Sequence, residues 1–254
     1  VQVAKEKGGI IKEGVPVVIG DLPKDAEAVI RDIAEEQNAV VYSVNDPIFS
    51  NYKKDIPALS LKGEYQKNNA VTVLVALHVL NHQFPISNET IATGLGNVKW
   101  EGRWQVLKFN NRTVILDSTH NEEGVVHLRK NLSKLVQDES RKPIIAVGTL
   151  GDDRARSIMP VVSEFSDSLH LLVPQQPRAC SFEVLSGEIP QAYSGDISES
   201  TVEGIVDQIN SFETNSSQTI VVTGSIYLIG EVLGKLKEKD LTKVFKESNL
   251  QDIF

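Results

Sequence analysis

From residue 113 onward the chain alternates short apolar runs with helical patterns. Val114-Ile-Leu116 is a run of the kind that fills a buried strand, and the polar stretch Asp117-Ser-Thr-His-Asn121 breaks it. Val125, Val126, Leu128, Leu132 and Leu135 then recur at helical spacing, which predicts a helix from Glu123 onward. The alternation continues with predicted strands at 144–148, 169–173, near 192–197 and at 219–223. Predicted helices at about 154–165, 181–186, 200–212 and 227–237 lie between and after them. Repeated strand–helix units imply an α/β fold, a Rossmann-like, doubly wound and mostly parallel sheet with helices on both faces. In such a sheet the turn at a strand's carboxyl end is where ligands bind, which makes Asp117–Asn121 the first stretch to examine.

The front of the chain is patterned differently. Residues 1–14 are polar and glycine-bearing, and the Lys-rich segment Lys5–Ile10 reads as a solvated loop. Val15–Ile19 and Ala39–Ser43 read as strands on either side of a helix from Asp25 to Gln37, a parallel strand–helix–strand unit. Residues 44–60 carry no periodicity. Tyr65–Leu80 predicts a strong helix, and Ser87 offers a cap for a short one through Leu95. Trp100–Phe109 and Arg112–Leu116, on either side of Asn110-Asn111, read as a β-hairpin. The boundary between the two parts falls near 85–100, giving expected domains at 1–90 and 91–254. The charged segment Glu238–Phe254 reads as a terminal helix or tail.

Composition narrows the function classes. The 254 residues are 41% apolar and 24% charged, ordinary for a globular protein. A formal charge of −8 leaves no basic excess to neutralise phosphates, which argues against a general nucleic-acid binder but not against a nucleotide ligand. Cys180 is the single cysteine, so no disulfide framework or cysteine-based zinc site exists and a reducing, cytoplasmic setting is expected. No apolar run approaches the about 20 residues of a membrane span. The start, Val1-Gln-Val-Ala, has neither the form of a signal peptide nor that of an initiator, so the chain is expected to be cut from something longer.

Each candidate motif has a plain alternative. Asp117, His120 and Asn121 could present an acceptor and an imidazole to a ligand. Equally, Asp and Asn in such a turn hydrogen-bond their own backbone. Gly102 before Arg103 would let the backbone approach a ligand while the guanidinium reaches a phosphate, although a lone Arg is usually solvated. Thr223-Gly-Ser-Ile-Tyr227 ends one predicted strand and opens the next helix, a place that favours anions. Thr149-Leu-Gly-Asp-Asp-Arg154 is a second turn of that kind, where Asp152 could simply cap the helix. His78 and His82, spaced i, i+4 on a predicted helix, lack the intervening Glu and third ligand of a zinc peptidase, so a surface or core role is expected. The phosphate-binding pattern Gly-x-x-x-x-Gly-Lys-[Ser/Thr] occurs nowhere in the chain.

In order and spacing these motifs resemble the C-terminal part of the folylpolyglutamate synthase/dihydrofolate synthase branch of the Mur ligase superfamily. The stretches carrying the resemblance are Glu6-Lys-Gly-Gly-Ile-Ile-Lys-Glu-Gly-Val-Pro16, Leu61-Lys-Gly-Glu-Tyr-Gln-Lys-Asn-Asn-Ala70 and Trp100-Glu-Gly-Arg103. Asp117-Ser-Thr-His-Asn-Glu122, Gly151-Asp-Asp-Arg154, Pro177-Arg-Ala179 and Gly224-Ser-Ile-Tyr-Leu-Ile-Gly230 follow in the same order as in the family. The chain departs from the family pattern at Gly8, which replaces Ala, at Tyr65, Glu101 and Ser118-Thr119, and at Asp153-Arg154.

The resemblance implies an ATP-dependent ligase that joins L-glutamate to folate or dihydropteroate through an acyl phosphate. ATP and Mg2+ are the implied cofactors, with a monovalent cation as a further option. Lys7 matches a family lysine that is carbamylated beside the metal, which would make it both catalytic and a metal ligand. Gln66 and Asn69 match positions near the adenine, Arg103 the phosphate-binding arginine, Asp117 the ribose acceptor and Tyr227 a residue beside the nucleotide. His120, the second catalytic candidate, and Ser225 match positions facing the incoming glutamate. Residues 1–90 would then be the end of a P-loop-type ATPase domain and 91–254 the glutamate-ligase domain, with the phosphate loop upstream and the fragment inactive alone. The partners implied are small molecules only, with no nucleic acid and no membrane, and the full-length enzyme would be a monomer. Two alternatives stand: another Mur-type amino-acid ligase, and a non-catalytic binding module that retains the fold.

Overall fold

The protein is described by a computed structural model covering residues 1–61, 64–109, 112–139, 141–211, 218–239 and 246–247. It divides into two compact units, Val1–Trp100 and Glu101–Phe254.

The first unit holds α1 (Gln2–Gly8), β1 (Val17–Ile19), α2 (Lys24–Glu36), β2 (Val41–Ser43), a 3-10 turn at Pro47–Phe49, α3 (Ser50–Lys54), α4 (Glu64–Leu80) and α5 (Asn88–Gly96). β1 and β2 pair in parallel, Val17 against Val41, as the strand–helix–strand reading predicts. β1 starts at Val17 instead of Val15 because Pro16 has no N–H to give a ladder. Gln2–Gly8 is helical, which overturns the loop expected from Lys5: Ala4 and Gly8, one turn apart, are its buried positions, too few to register as a period. Residues 44–60, expected to be irregular, contain the 3-10 turn and α3, anchored where Phe49 packs against Val71 and Val75 of α4. The Ser87 hydroxyl accepts from the Thr90 N–H and caps α5 as expected. α5 keeps to this unit, its Leu95 carbonyl accepting from the Ser60 N–H at 3.2 Å.

The second unit is built on a seven-stranded sheet. Its elements are β3 (Gln105–Phe109), β4 (Arg112–Asp117), α6 (Glu122–Asp138), β5 (Ile144–Val147), α7 (Asp152–Phe165), β6 (Ser168–Leu172), α8 (Phe182–Gly187), β7 (Asp196–Ser200), α9 (Val202–Asn210), β8 (Ile220–Thr223), α10 (Ile226–Glu238) and β9 (Lys246–Glu247). The strand order is β7-β6-β5-β8-β4-β3-β9, parallel from β7 to β4, with β3 and β9 added antiparallel. β3 and β4 form the expected hairpin, whose Asn110-Asn111 turn lies outside the described residues. Of the expected terminal helix or tail, Lys246-Glu247 instead pairs as a strand with β3, and residues 240–245 and 248–254 lie outside the described residues.

The strands read as unbroken apolar runs because both faces are covered. Ile115, Ile145, Val147, Leu169, Leu171 and Val221 pack beneath α6, α7 and α8. Their neighbours Val114, Leu116, Ala146, Leu172, Ile220 and Val222 pack against α9 and α10 on the other face. This is the doubly wound arrangement read from the sequence. β7 is the exception, lying at 196–200 instead of 192–197. It is a sheet-edge strand with mostly exposed side chains, so it carries no apolar run to mark it, and Tyr193 belongs to the preceding turn. β8 feeds α10 on one face, while its neighbours β4 and β5 feed α6 and α7 on the other. The carboxyl ends of these three strands are therefore where such a sheet opens to ligands. No helix among the described residues is long and apolar enough to cross a membrane.

Candidate functional site

β4 ends at Asp117, which is 7% exposed and carries the most heavily bonded side chain at the carboxyl end of the sheet. Its Oδ2 accepts from the Trp104 N–H at 3.1 Å. Its Oδ1 accepts from the Thr119 N–H at 3.0 Å and from the Thr119 hydroxyl. Burial pushes the Asp117 carboxyl above its usual range, against the opposing pull of these donors and of Arg103. The carboxylate thus clamps the loop that carries Arg103.

The geometry of that loop is unusual. Gly102 (φ +76°) and Trp104 (φ +49°), on either side of Arg103, both occupy the left-handed region. For a bulky residue such as Trp104 this conformation is costly and persists only where the surroundings impose it. The Trp104 N–H on Asp117 and the burial of the indole in the core supply that constraint. The Gly102 carbonyl accepts from the Ser118 N–H at 2.7 Å, and its own N–H donates to Gln105 Oε1 at 3.0 Å. Gly102 is needed for its φ and because a Cβ would fall 2.7 Å from Ile229 Cγ2 of α10. Packing therefore requires this glycine, whatever passes over it.

The rest of the turn is locally satisfied. Half-buried His120 places Nδ1 2.8 Å from the Ser118 carbonyl, so Nδ1 carries the proton of that bond and Nε2 is left to accept. Asn121 caps α6, its Oδ1 accepting from the Gly124 N–H at 2.8 Å. At the end of β8, Ser225 is 2% exposed and caps α10 by accepting from the Tyr227 N–H at 3.1 Å. The Tyr227 side chain is exposed. Between β8 and that cap, Gly224 (φ +108°) lies so close to β5 that a Cβ would sit 2.6 Å from the Gly148 carbonyl oxygen. Register places Asp117 directly beside Thr223. Arg103, Asp117, His120, Ser225 and Tyr227 thus all lie in the turns that follow β4 and β8 or in the loop clamped to them.

The Gly151–Arg154 and Pro177–Ala179 stretches also meet. Leu150 bridges Ala179, the Gly151 N–H donates to the Arg178 carbonyl at 3.0 Å, and Arg154 Nη1 donates to the Leu150 carbonyl at 3.1 Å. Asp152 does not cap α7: the cap position is Gly151, and no side chain bonds there.

The other candidates lie in the first unit. Lys7 is exposed in the last turn of α1. Gly8 is buried where a Cβ would fall 2.4 Å from Ile33 Cδ1, so the Ile33 side chain occupies the space that an alanine methyl there would take. Gln66 and Asn69, one turn apart on α4, are joined amide to amide, Asn69 Nδ2 donating to Gln66 Oε1 at 3.2 Å. His78 bonds the Tyr52 hydroxyl at 3.2 Å and lies edge-on to Phe49, while His82 falls beyond the end of α4. Among the described residues no group of three or more His, Cys, Asp or Glu could hold a metal ion.

Sequence reasoning missed Trp104 and Thr119, whose donors hold Asp117. Thr119 lies inside the Asp117–Glu122 stretch, but neither residue was given a role there, because both act through a geometry that only the fold creates.

No protein-family model matches the sequence. The dihydrofolate synthase/folylpolyglutamate synthase of Bacillus subtilis is 28% identical over 258 aligned residues, covering 93% of this chain and 58% of the relative. The chain is similar to the folylpolyglutamate and dihydrofolate synthases. The crystal structure of Mycobacterium tuberculosis folylpolyglutamate synthase complexed with ADP and AMPPCP superposes with a TM-score of 0.72 at 20% identity, over 92% of this chain and 59% of that one. The bifunctional synthase of Yersinia pestis, complexed with AMPPNP and Mn ion, gives a TM-score of 0.67 at 23% identity, over 93% and 56%. At these identities the structures establish a shared fold. The chain spans somewhat more than half the length of the synthases it matches.

Proposed function

We propose that this chain is the part of an ATP-dependent acid–amino-acid ligase that holds the nucleotide from one side and receives the amino-acid substrate, the substrates being folate or dihydropteroate and L-glutamate. The observation that carries the reading is the clamp of the Arg103 loop onto Asp117, with His120, Ser225 and Tyr227 in the turns beside it. The backbone on either side of Arg103 is set by two left-handed residues, and its side chain has the planar fork by which Arg binds phosphoryl oxygens. Asp117 Oδ2 takes one protein donor and retains capacity for a ribose hydroxyl. His120, with its proton on Nδ1, offers Nε2 as an acceptor to the ammonium of the incoming amino acid. Gln66 and Asn69 present paired amides suited to a purine edge. ATP would supply the activation of the substrate carboxylate. Mg2+ and a carbamate on Lys7 belong to this proposal, with the remaining metal ligands supplied from outside the described residues.

The test is nucleotide binding to the 254-residue chain, followed by calorimetry or by chemical-shift changes with Mg-ADP. Arg103→Ala is expected to weaken binding at least tenfold. Unchanged affinity would remove the assignment. Incubation with 13C-bicarbonate checks Lys7: a carbamate carbon signal that disappears in Lys7→Met is the expected result.

One set of observations favours a second reading, a binding module without catalysis. Asp117, Asn121 and Ser225 all spend hydrogen bonds on their own turns. Nucleotide binding without ligation, in the chain supplemented with a phosphate-loop domain of the synthase type, would select this reading.

A further inference from the structure

Three hydroxyls at the carboxyl ends of β4, β5 and β8 are buried and find no partner among the described residues: Ser118, Thr149 and Thr223, at 1%, 0% and 0% exposure. A buried hydroxyl left unbonded carries the desolvation cost of a polar group, and native proteins meet that cost with a protein group or an ordered water. Thr223 is the one whose surroundings are fixed by register. It pairs with Asp117 on one side and with Val147 on the other. Paired residues in this sheet face the same way, as the shared packing of Ile115 with Val221 and of Leu116 with Val222 shows. The Thr223 hydroxyl therefore lies on the α6–α7 face, between an apolar side chain that offers it nothing and a buried carboxylate. That carboxylate takes two bonds on Oδ1 and only one on Oδ2. Thr149, beyond Val147 on the next strand, adds another hydroxyl without a partner at the same end of the sheet.

We propose that a sealed water occupies this end of the sheet, bonded by Thr223 Oγ1 and Asp117 Oδ2, which makes Thr223 a positioning residue for Asp117. The site is polar and offers the two or more partners that internal waters take. It links the turn after β4, which holds Arg103 in place, to the turn after β8, which carries Ser225 and Tyr227. Neither sequence motif includes this connection. The inference concerns the folded chain without nucleotide, and its water takes the acceptor position on Asp117 Oδ2 that the ligase reading gives to a ribose hydroxyl, which would displace it.

The experiment pairs a high-resolution crystal structure of the chain with the stability of Thr223→Val, a change that keeps the shape and removes the hydroxyl. The expected structure shows a water peak within hydrogen-bond distance of both Thr223 Oγ1 and Asp117 Oδ2. The expected variant loses the peak and has its folding equilibrium constant lowered by about fivefold, the scale of one hydrogen bond. A structure with no water there, or with Thr223 bonded directly to Asp117, overturns the proposal. So does a Thr223→Val chain as stable as the parent or more so, because removing a dry, unbonded hydroxyl costs nothing. If the variant does not fold, the parent structure alone decides.

Discussion

The two units use one chemistry at very different depth. The second stacks helices on both faces of a seven-stranded sheet, so that most strand residues of β4, β5, β6 and β8 are buried. The first has a two-stranded sheet with two small apolar clusters, one around Phe49, Val71 and Val75 and one around Ala4, Ile19 and Ile30. Val73, Leu80, Phe84 and Ile86 stay exposed on and after α4. Burial of apolar area drives folding, at about 25 cal/mol per Å2, so the second unit should carry most of the stability. Two strands with helices are close to the minimum that holds together. The comparison also extends to close approach. In the second unit backbone meets backbone, at Gly224 on Gly148, whereas in the first Gly8 meets only the tip of the Ile33 side chain.

The largest effect that would break this comparison is at Gly224. Gly224→Ala forces a Cβ against a carbonyl oxygen at 2.6 Å from a φ of +108°, and neither strand can yield. The expected outcome is loss of the folded second unit, seen as loss of its unfolding transition in calorimetry. Gly8→Ala meets a side-chain tip that can rotate away and should cost under ~1 kcal/mol; equal damage from the two would refute the contrast.

Next come the cores. Ile145→Ala and Leu132→Ala, both at fully buried positions, should each cost about 2–5 kcal/mol and lower the second unit's transition. Val75→Ala, also fully buried, should cost less because the smaller cluster around it can collapse, and it should lower the first unit's transition. Urea titrations followed by residue-resolved NMR would sharpen the comparison, because a single shared transition would mean that the units do not unfold separately.

A smaller effect is expected from pH. Burial raises the Asp117 carboxyl in the folded state, so the folded protein binds that proton more tightly than the unfolded chain does. Its contribution to stability is therefore greatest below the ordinary carboxylate range, about pH 4, and is lost as pH rises through the raised folded value. Asp117→Asn stays neutral, so the stability of the parent relative to this variant should fall as pH rises from about 4 towards 7. A constant difference across that range would mean that the carboxyl is not perturbed. Smallest of all, Arg31→Met removes the paired contacts of Arg31 with Glu27 and Asp46 in the first unit. With Arg31 about 42% exposed, the cost should be a few tenths of a kcal/mol, measurable as a slight shift in denaturation midpoint.

The second unit was the more legible from sequence for the same reason that it is expected to be the more stable. Strands covered on both faces were read as 144–148, 169–173 and 219–223, within one residue of the observed 144–147, 168–172 and 220–223, and the helices between them keep one apolar stripe. Legibility failed where burial did. Exposed β7 was misplaced by a few residues, and α1, with two buried positions, was read as loop. At the candidate site the sequence singled out Arg103, Asp117, His120, Ser225 and Tyr227, and the fold places them in the turns after β4 and β8 or in the loop clamped to them. It gave no role to Trp104, or to Thr119 and Thr223, although the last two lie within stretches it marked.

The sequence by itself determined the alternation of strand and helix, the apolar interior of the sheet and the order of the glycine-bearing turns. Those properties follow from local periodicity and from residues whose backbone preferences need no partner. Only the tertiary structure decided that Asp117 is a buried clamp as well as a candidate ligand group. Its donors come from Trp104, thirteen positions away, and from Thr119, and the first of these reaches it only after the hairpin has formed. The strand register likewise brings Thr223, more than a hundred residues away, against that carboxylate. A register is a property of pairing between distant segments, and no window of sequence contains it.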